Sequence, residues 1–168
     1  MNIGIYIYDE AEILDFSGPF EVFSTASRVS ASLETFNVFL VSETGNTVNA
    51  RGGYSVNPKY SLLNHPSINV LIISGGVHSE EMKKPNILNW IKEESEKAQL
   101  VASVCTGAFL LAEAGVLSNE RVTTHWEDIP GLSEDYPNLT VLENQRWVDA
   151  GSIITSDGMS AYWQHSII

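Results

Sequence analysis

Short apolar runs alternate along the chain with segments whose apolar residues recur at helical spacing. The runs predict buried strands at residues 2–8, 35–42, 68–73 and 99–104, and shorter strands near 121–124, 146–149 and 152–155. The spaced positions predict helices that begin near Ser17 and extend over residues 85–98 and 108–114. Nearly continuous apolar strands that alternate with helices are typical of a parallel sheet covered on both faces.

Glycine, proline and small polar residues mark where these elements begin and end. Ser17 is a candidate N-cap of the first helix, and Pro19 suits its first turn because the N–H that proline lacks has no partner there. Gly115 is expected to close the helix over 108–114 in the left-handed conformation. Residues 45–60 are rich in glycine and other turn formers, so we expect a hairpin and loop there.

Composition and charge narrow the classes of function. The chain has 168 residues, the size of one domain, with a formal net charge of −12 and one cysteine. A negative field repels phosphate backbones, so we expect no nucleic-acid partner. One cysteine excludes an internal disulfide and a cysteine-rich zinc site, and the scattered histidines predict no metal.

No apolar run approaches the roughly 20 residues that cross a bilayer, and the N-terminus has no signal-peptide pattern. We therefore expect a cytoplasmic protein with no membrane partner.

The only cysteine, Cys105, lies between a predicted strand and a predicted helix. In a parallel α/β sheet, ligands bind beyond the carboxyl ends of the strands, where both Cys105 and the pair Gly75-Gly76 are expected. The beginning of a helix favours the thiolate, so this placement predicts a lowered pKa and a reactive thiol. The N–H groups of Gly75, Gly76 and Thr106 are candidate donors to a developing negative charge. The alternative is that Cys105 is a buried, inert small hydrophobe.

Four segments, taken in order, resemble the PfpI/ThiJ superfamily, whose fold is that of class I glutamine amidotransferases. They are Leu14-Asp15-Phe16-Ser17-Gly18-Pro19, Ile73-Ser74-Gly75-Gly76, Ala102-Ser103-Val104-Cys105-Thr106-Gly107-Ala108-Phe109 and Thr123-Thr124-His125-Trp126. The resemblance extends from the first strand to Ser160, and the branch with the greatest similarity is that of the isonitrile (isocyanide) hydratases. It implies a single domain over residues 1–168 with a flavodoxin-like, doubly wound α/β sandwich.

The resemblance also implies roles for individual residues. Cys105 matches the nucleophile, Asp15 its acidic partner, and Thr106 the residue that brings a hydroxyl near the reacting centre. The pair Gly75-Gly76 matches the oxyanion-binding strand end, and His125 matches a histidine near the cysteine in other branches. Each residue also has a structural interpretation. Asp15 suits a helix cap, Thr106 an early helical position, Gly75-Gly76 a turn, and His125 a hydrogen-bonded histidine packed under Trp126.

Two features depart from the family pattern. Asp157 stands where a small residue is expected, and an extra carboxylate near the pocket is expected to raise the pKa of the thiol or to select a cationic or polar ligand. The family normally continues after Ser160 into a long apolar helix, whereas this sequence has only Ala161 to Ile168, and we expect that helix to be absent or cut short. We expect the apolar surface left uncovered to be buried in a homodimer.

The function implied is hydration of a small electrophile by a cysteine nucleophile without a cofactor. The specific expectation is conversion of an isonitrile to an N-substituted formamide. A second interpretation is glyoxalase-like hydration of α-oxoaldehydes by Cys105 and His125. A third is a non-catalytic domain that senses a ligand or is oxidised at Cys105, like the domains found in AraC-type regulators.

Overall fold

A computed structural model describes residues 1–29 and 35–158 and contains the expected α/β fold. The strands are β1 (Asn2–Tyr6), β2 (Asn37–Ser42), β3 (Val48–Ala50), β4 (Tyr54–Val56), β5 (Tyr60–Ser61), β6 (Val70–Ile73), β7 (Leu100–Val104), β8 (Arg121–Val122), β9 (Thr140–Val141), β10 (Trp147–Asp149) and β11 (Ile153–Ser156). The helices are α1 (Ile13–Val29), α2 (Pro85–Lys97), α3 (Gly107–Glu113) and α4 (Ile129–Asp135).

Seven strands form the central sheet in the order β10-β11-β7-β6-β1-β2-β5. Every neighbouring pair is parallel except β10 and β11, which are antiparallel. The crossovers from β1 to β2 and from β6 to β7 run in opposite directions across the sheet. Since such crossovers are right-handed, α1 and α2 cover opposite faces, which is the doubly wound arrangement. The carboxyl ends of β1, β6 and β7 therefore meet at one edge.

The first helix begins earlier than the sequence predicts. It starts at Ile13, so Ser17 is not its N-cap, and Pro19 lies inside it. The Ser17 hydroxyl instead donates to the Ile13 carbonyl one turn back, at 2.6 Å. A serine hydroxyl can cap a helix by accepting from a backbone N–H, or it can donate to the carbonyl one turn back inside the helix. A serine near a proline is therefore an ambiguous signal for where a helix starts. The earlier start places Asp15 in the first turn of α1.

Most of the other element boundaries agree with the sequence prediction. The segment 45–60 contains the antiparallel hairpin of β3 and β4, and Gly115 follows α3 with φ of 70°. The short helix α4 was not predicted. The expected lack of the family's apolar helix after Ser160 concerns residues outside the part of the chain that the structure describes. Among those residues, no helix is both long and apolar enough to cross a membrane.

Candidate active site

Cys105 occupies a strained turn between β7 and α3. Its φ is 55°, in the left-handed region that residues with a side chain rarely adopt. Two hydrogen bonds hold this backbone: the Cys105 N–H donates to the Ser156 carbonyl at 3.0 Å, and the Thr124 hydroxyl donates to the Cys105 carbonyl at 2.9 Å. The junction of β7 and α3 is thus a sharp bend, and the Cys105 side chain lines the cavity at this edge of the sheet.

Asp15 reaches the thiol from the first turn of α1. Its side chain is buried, with 3% of its surface exposed, and its carboxyl group lies beside Cys105, where its negative charge raises the pKa of the thiol. Gly75 makes this contact possible. A Cβ atom there would lie 2.7 Å from Asp15 Oδ2, 2.7 Å from Cys105 Cβ and 2.8 Å from the Thr106 nitrogen. The glycine therefore leaves the space in which the carboxyl group and the thiol meet.

Thr106 connects the turn at Cys105 to the end of β6. Its hydroxyl donates to the Gly76 carbonyl and accepts from the Gly76 N–H, both at 2.9 Å. This second bond occupies the Gly76 N–H, which the sequence had suggested as a donor to a developing negative charge. The Thr106 N–H, in contrast, faces the Cys105 sulfur and lowers the pKa of the thiol.

The pKa of the Cys105 thiol is raised, which contradicts the lowered value predicted from its position before a helix. Burial is the largest cause, and the negative charge of Asp15 is the next. The Thr106 N–H opposes them but is too weak to reverse the direction. Only 9% of Cys105 is exposed. The sequence pattern places the thiol at a helix start, but it does not show how deeply the turn is buried or that a carboxyl group touches it.

His125 lies between two carboxylates. Its Nδ1 is 3.3 Å from Asp128 Oδ2, and its ring packs against Trp126 with centroids 5.7 Å apart. Asp157 is half-buried, and burial raises its pKa while His125 and the Trp126 N–H act to lower it. The residue that departs from the family pattern thus lies beside His125. The next residue, Gly158, packs on Cys105, since a Cβ there would be 2.8 Å from Cys105 Cβ.

A cavity of about 680 Å³ opens over the thiol. Asp15, Gly76, Cys105, Thr106 and His125 line it, together with residues that the sequence did not assign to the site: Glu12, Arg51, His78, Glu127 and Asp128. Gly75 lies behind this surface, in the contact between Asp15 and Cys105.

The residues that sequence reasoning missed come from separate loops. Glu12 forms an ion pair with Arg51 at 3.2 Å. His78 stacks on Phe109 with ring centroids 4.6 Å apart. Contacts between loops far apart in sequence leave no local pattern from which to predict them. Within residues 1–29 and 35–158, no group of three His, Cys, Asp or Glu side chains is arranged to hold a metal ion.

Known proteins of several kinds are similar to this chain. An uncharacterized protein encoded in the cpoL 5′ region of Streptomyces lividans is 35% identical over 138 residues, which are 82% of this chain and 96% of that protein. The isonitrile hydratase of Pseudomonas putida is 29% identical over 163 residues, 96% of this chain and 67% of the hydratase. The HTH-type transcriptional regulator CdhR of Pseudomonas aeruginosa is 31% identical over 149 residues, 89% of this chain and 44% of the regulator.

Solved structures share the fold. A ThiJ/PfpI family protein from Pseudomonas syringae superposes with a TM-score of 0.81 at 22% identity, covering 95% of this chain and 63% of that protein. The DJ-1beta protein of Drosophila melanogaster gives 0.78 at 19% identity, covering 97% of this chain and 84% of that one. The sequence model of the DJ-1/PfpI family matches residues 1–166. With the family's fold present and its sequence pattern matched along nearly the whole length, this chain belongs to the DJ-1/PfpI family.

Proposed function

We propose that the protein is a cysteine-dependent hydratase of small electrophiles, and that its substrates are isonitriles, which it converts to N-substituted formamides. The observation that carries this proposal is the approach of the Asp15 carboxyl group to the Cys105 side chain at Gly75, beside a cavity of about 680 Å³ that both residues line. Hydration of an isonitrile requires a nucleophile for the terminal carbon and a proton for the same carbon. These two groups supply both.

The reaction proceeds in two steps that balance without an oxidant or a cofactor. The Cys105 sulfur bonds to the terminal carbon, and the proton shared with Asp15 moves to that carbon, which gives a thioimidate. Water then adds to the thioimidate carbon, one of its protons going to the nitrogen. The carbon–sulfur bond breaks, the formamide leaves, and the remaining water proton returns to the thiol–carboxyl pair.

The raised pKa of the thiol suits this mechanism. A thiol and a carboxyl group in contact titrate as a pair, and the charge of one disfavours ionisation of the other. Burial and the charge of Asp15 both act in this direction at Cys105. At neutral pH the pair then retains one proton, which is the proton that the isonitrile carbon takes up.

Turnover of a panel of alkyl and aryl isonitriles, with the formamide measured by mass spectrometry, tests the proposal. Cys105→Ser should abolish product formation, and Asp15→Asn should reduce the rate by about 10²-fold or more, as expected for a lost general acid. Asp135→Asn removes a carboxylate at an exposed position and should leave the rate unchanged. Full turnover by Cys105→Ser, or no turnover of any isonitrile by the wild type, would overturn the proposal. A parallel turnover assay with α-oxoaldehydes as substrates detects the glyoxalase-like reaction.

A second candidate is a sensor that binds a small molecule without converting it. It is favoured by the burial that keeps the Cys105 thiol protonated and by the similarity to the regulator CdhR. A sensed ligand would raise the melting temperature and be recovered unchanged. It would do so equally with the wild type and with Cys105→Ser, whereas a substrate would be consumed by the wild type alone.

A further inference from the structure

A histidine in the cavity takes no part in the steps described for Cys105 and Asp15. His78 lines the cavity together with these two residues. Its side chain is half-buried, and its ring stacks on Phe109 with centroids 4.6 Å apart and planes inclined by 28°. Histidine is the side chain that most often moves protons at neutral pH, so this imidazole is a candidate acid or base.

The hydrogen bond of the His78 ring determines which nitrogen carries the proton. His78 Nδ1 lies 3.2 Å from the Gly76 carbonyl oxygen, and a carbonyl oxygen only accepts, so Nδ1 is the donor. In the neutral ring the lone pair is then on Nε2, on the other side of Cε1 and directed away from this bond. Within residues 1–29 and 35–158, no protein group donates to Nε2. The neutral ring therefore keeps an unoccupied base, and Nε2 is the polar atom that it offers to the cavity.

The Gly76 carbonyl places this base beside the turn at Cys105. The Thr106 hydroxyl donates to the same oxygen at 2.9 Å, so the His78 ring and the residue after Cys105 meet at one atom. Gly76 is itself fixed. Its N–H donates to Thr106 Oγ1 at 2.9 Å, and a Cβ atom there would lie 2.6 Å from Ala11 Cα. The imidazole is thus anchored to the same strand end as the residue that follows the thiol.

We propose that His78 is the general base of the second step, in which its Nε2 takes a proton from the water that adds to the thioimidate carbon. This inference rests on the proposed function and adds a catalytic residue to it. As the water oxygen bonds to the carbon, one water proton moves to Nε2 and from there to the substrate nitrogen. The carbon–sulfur bond then breaks with its electron pair on sulfur, and the second water proton returns to Cys105 and Asp15. Formation of the adduct does not use His78.

Hydrolysis of an acetylated Cys105 tests this step without an isonitrile. A thioester, like a thioimidate, has a trigonal carbon on sulfur that water must attack. p-Nitrophenyl acetate acetylates a thiol and releases p-nitrophenolate, so it should give a burst as Cys105 is modified and a slower steady rate as the thioester is hydrolysed. His78→Asn should leave the burst unchanged and lower the steady rate by about 10²-fold or more, the contribution of a general base. Intact-protein mass spectrometry should show the acetylated variant accumulating.

Asparagine separates a catalytic role from a structural one, because its amide can still donate to the Gly76 carbonyl but cannot act as a base. His78→Ala should be equally slow, and free imidazole should raise its steady rate by about tenfold or more, since truncation leaves room for a replacement base. His65→Asn is the matched control. His65 accepts from the Trp90 indole N–H at 2.9 Å and does not line the cavity, so its loss should leave burst and steady rate at wild-type values.

Three results would overturn the role of His78. They are a His78→Asn protein that hydrolyses the thioester at the wild-type rate, a wild type that does not hydrolyse it, and a His78→Ala protein that imidazole does not accelerate. The acetyl assay needs no isonitrile, so its outcome is separate from that of the proposed function. Slow hydrolysis by the His78 variants without any isonitrile turnover would leave the base in place and remove the proposed substrate.

Discussion

At the scale of single residues, the site depends on places where backbone segments approach more closely than a side chain allows. Gly75 is the clearest case, because Asp15, Cys105 and Thr106 all lie within 2.8 Å of the position that a Cβ atom would take. Two of these neighbours are backbone or backbone-attached atoms that cannot rotate away. The approach of the Asp15 carboxyl group to the Cys105 thiol thus depends on a third residue, Gly75, that has no side chain.

Gly75→Ala should separate the thiol from the carboxyl group. Overpacking at such a position costs about 1–3 kcal/mol, and the proposed turnover should fall to background because the shared proton is lost. Gly131→Ala is the control, since its nearest neighbour would be Phe109 Cζ at an ordinary 3.8 Å. It lies within α4 and should be neutral or stabilising by up to about 1 kcal/mol. Thermal unfolding with an activity assay compares the two, and an active, stable Gly75→Ala protein would contradict the geometry.

The raised pKa of Cys105 predicts how stability depends on pH. The unfolded thiol ionises near its reference value of about 8.5, whereas the folded thiol stays protonated to higher pH. The free energy of unfolding should therefore fall as the pH rises above about 8.5, by at most about 1.4 kcal/mol per pH unit. Chemical denaturation below the pH at which tyrosines ionise measures this slope, and Cys105→Ser should remove it.

Asp15→Asn gives the complementary result. Removing the negative charge beside the sulfur should lower the pKa of Cys105. The rate at which iodoacetamide alkylates Cys105, measured against pH, should therefore have its midpoint at a lower pH than in the wild type. A midpoint that stays in place would mean that burial alone sets the pKa.

At the scale of elements, the sequence predicted the sheet well and the first helix less well. Buried strands such as β6 are continuous apolar runs, and α2 has regular apolar spacing, so both could be located from local pattern. The start of α1 could not be located from the local pattern, because its first turn contains the buried carboxyl group that contacts Cys105. Cys105 itself was found because the junction of β7 and α3 is visible in the sequence.

The segment after β8 is held to the turn at Cys105 by buried hydroxyl groups. Thr124 donates to the Cys105 carbonyl, and Thr155 Oγ1 accepts from the Thr123 N–H at 2.8 Å. Thr124→Val keeps the shape but leaves that carbonyl unpaired, so it should cost about 1–3 kcal/mol. Thr140→Val at an exposed strand position is the control and should change stability by less than about 0.5 kcal/mol. Equal melting temperatures for the two variants would show that the hydroxyl does not support the turn.

At the scale of the whole molecule, the net charge acts over a distance on molecules that approach the site. The chain carries a net charge of −12. The cavity is also negatively charged, because Glu12, Glu127 and Asp128 line it and Arg51 is paired with Glu12.

The homodimer expected from the sequence remains a prediction, to be checked by sedimentation.

Cationic reagents should therefore reach Cys105 faster than anionic ones. A trimethylammonium methanethiosulfonate should react at least about tenfold faster than its sulfonate counterpart at low salt, and salt should narrow the gap. Glu127→Gln should reduce the ratio, and Glu134→Gln, at an exposed position on α4, should reduce it less. Equal rates for the two reagents would show that the carboxylates do not govern entry.

The left-handed backbone at Cys105 sets stability and chemistry against each other. A side chain in that conformation costs about 1–3 kcal/mol, and glycine would relieve the cost. Random mutagenesis followed by selection for heat resistance alone should therefore enrich Cys105→Gly, which is more stable and lacks the thiol. A population kept under selection for thiol chemistry should retain the cysteine and accumulate its stabilising changes elsewhere. The codon at this position would then report which of the two selections a lineage has experienced.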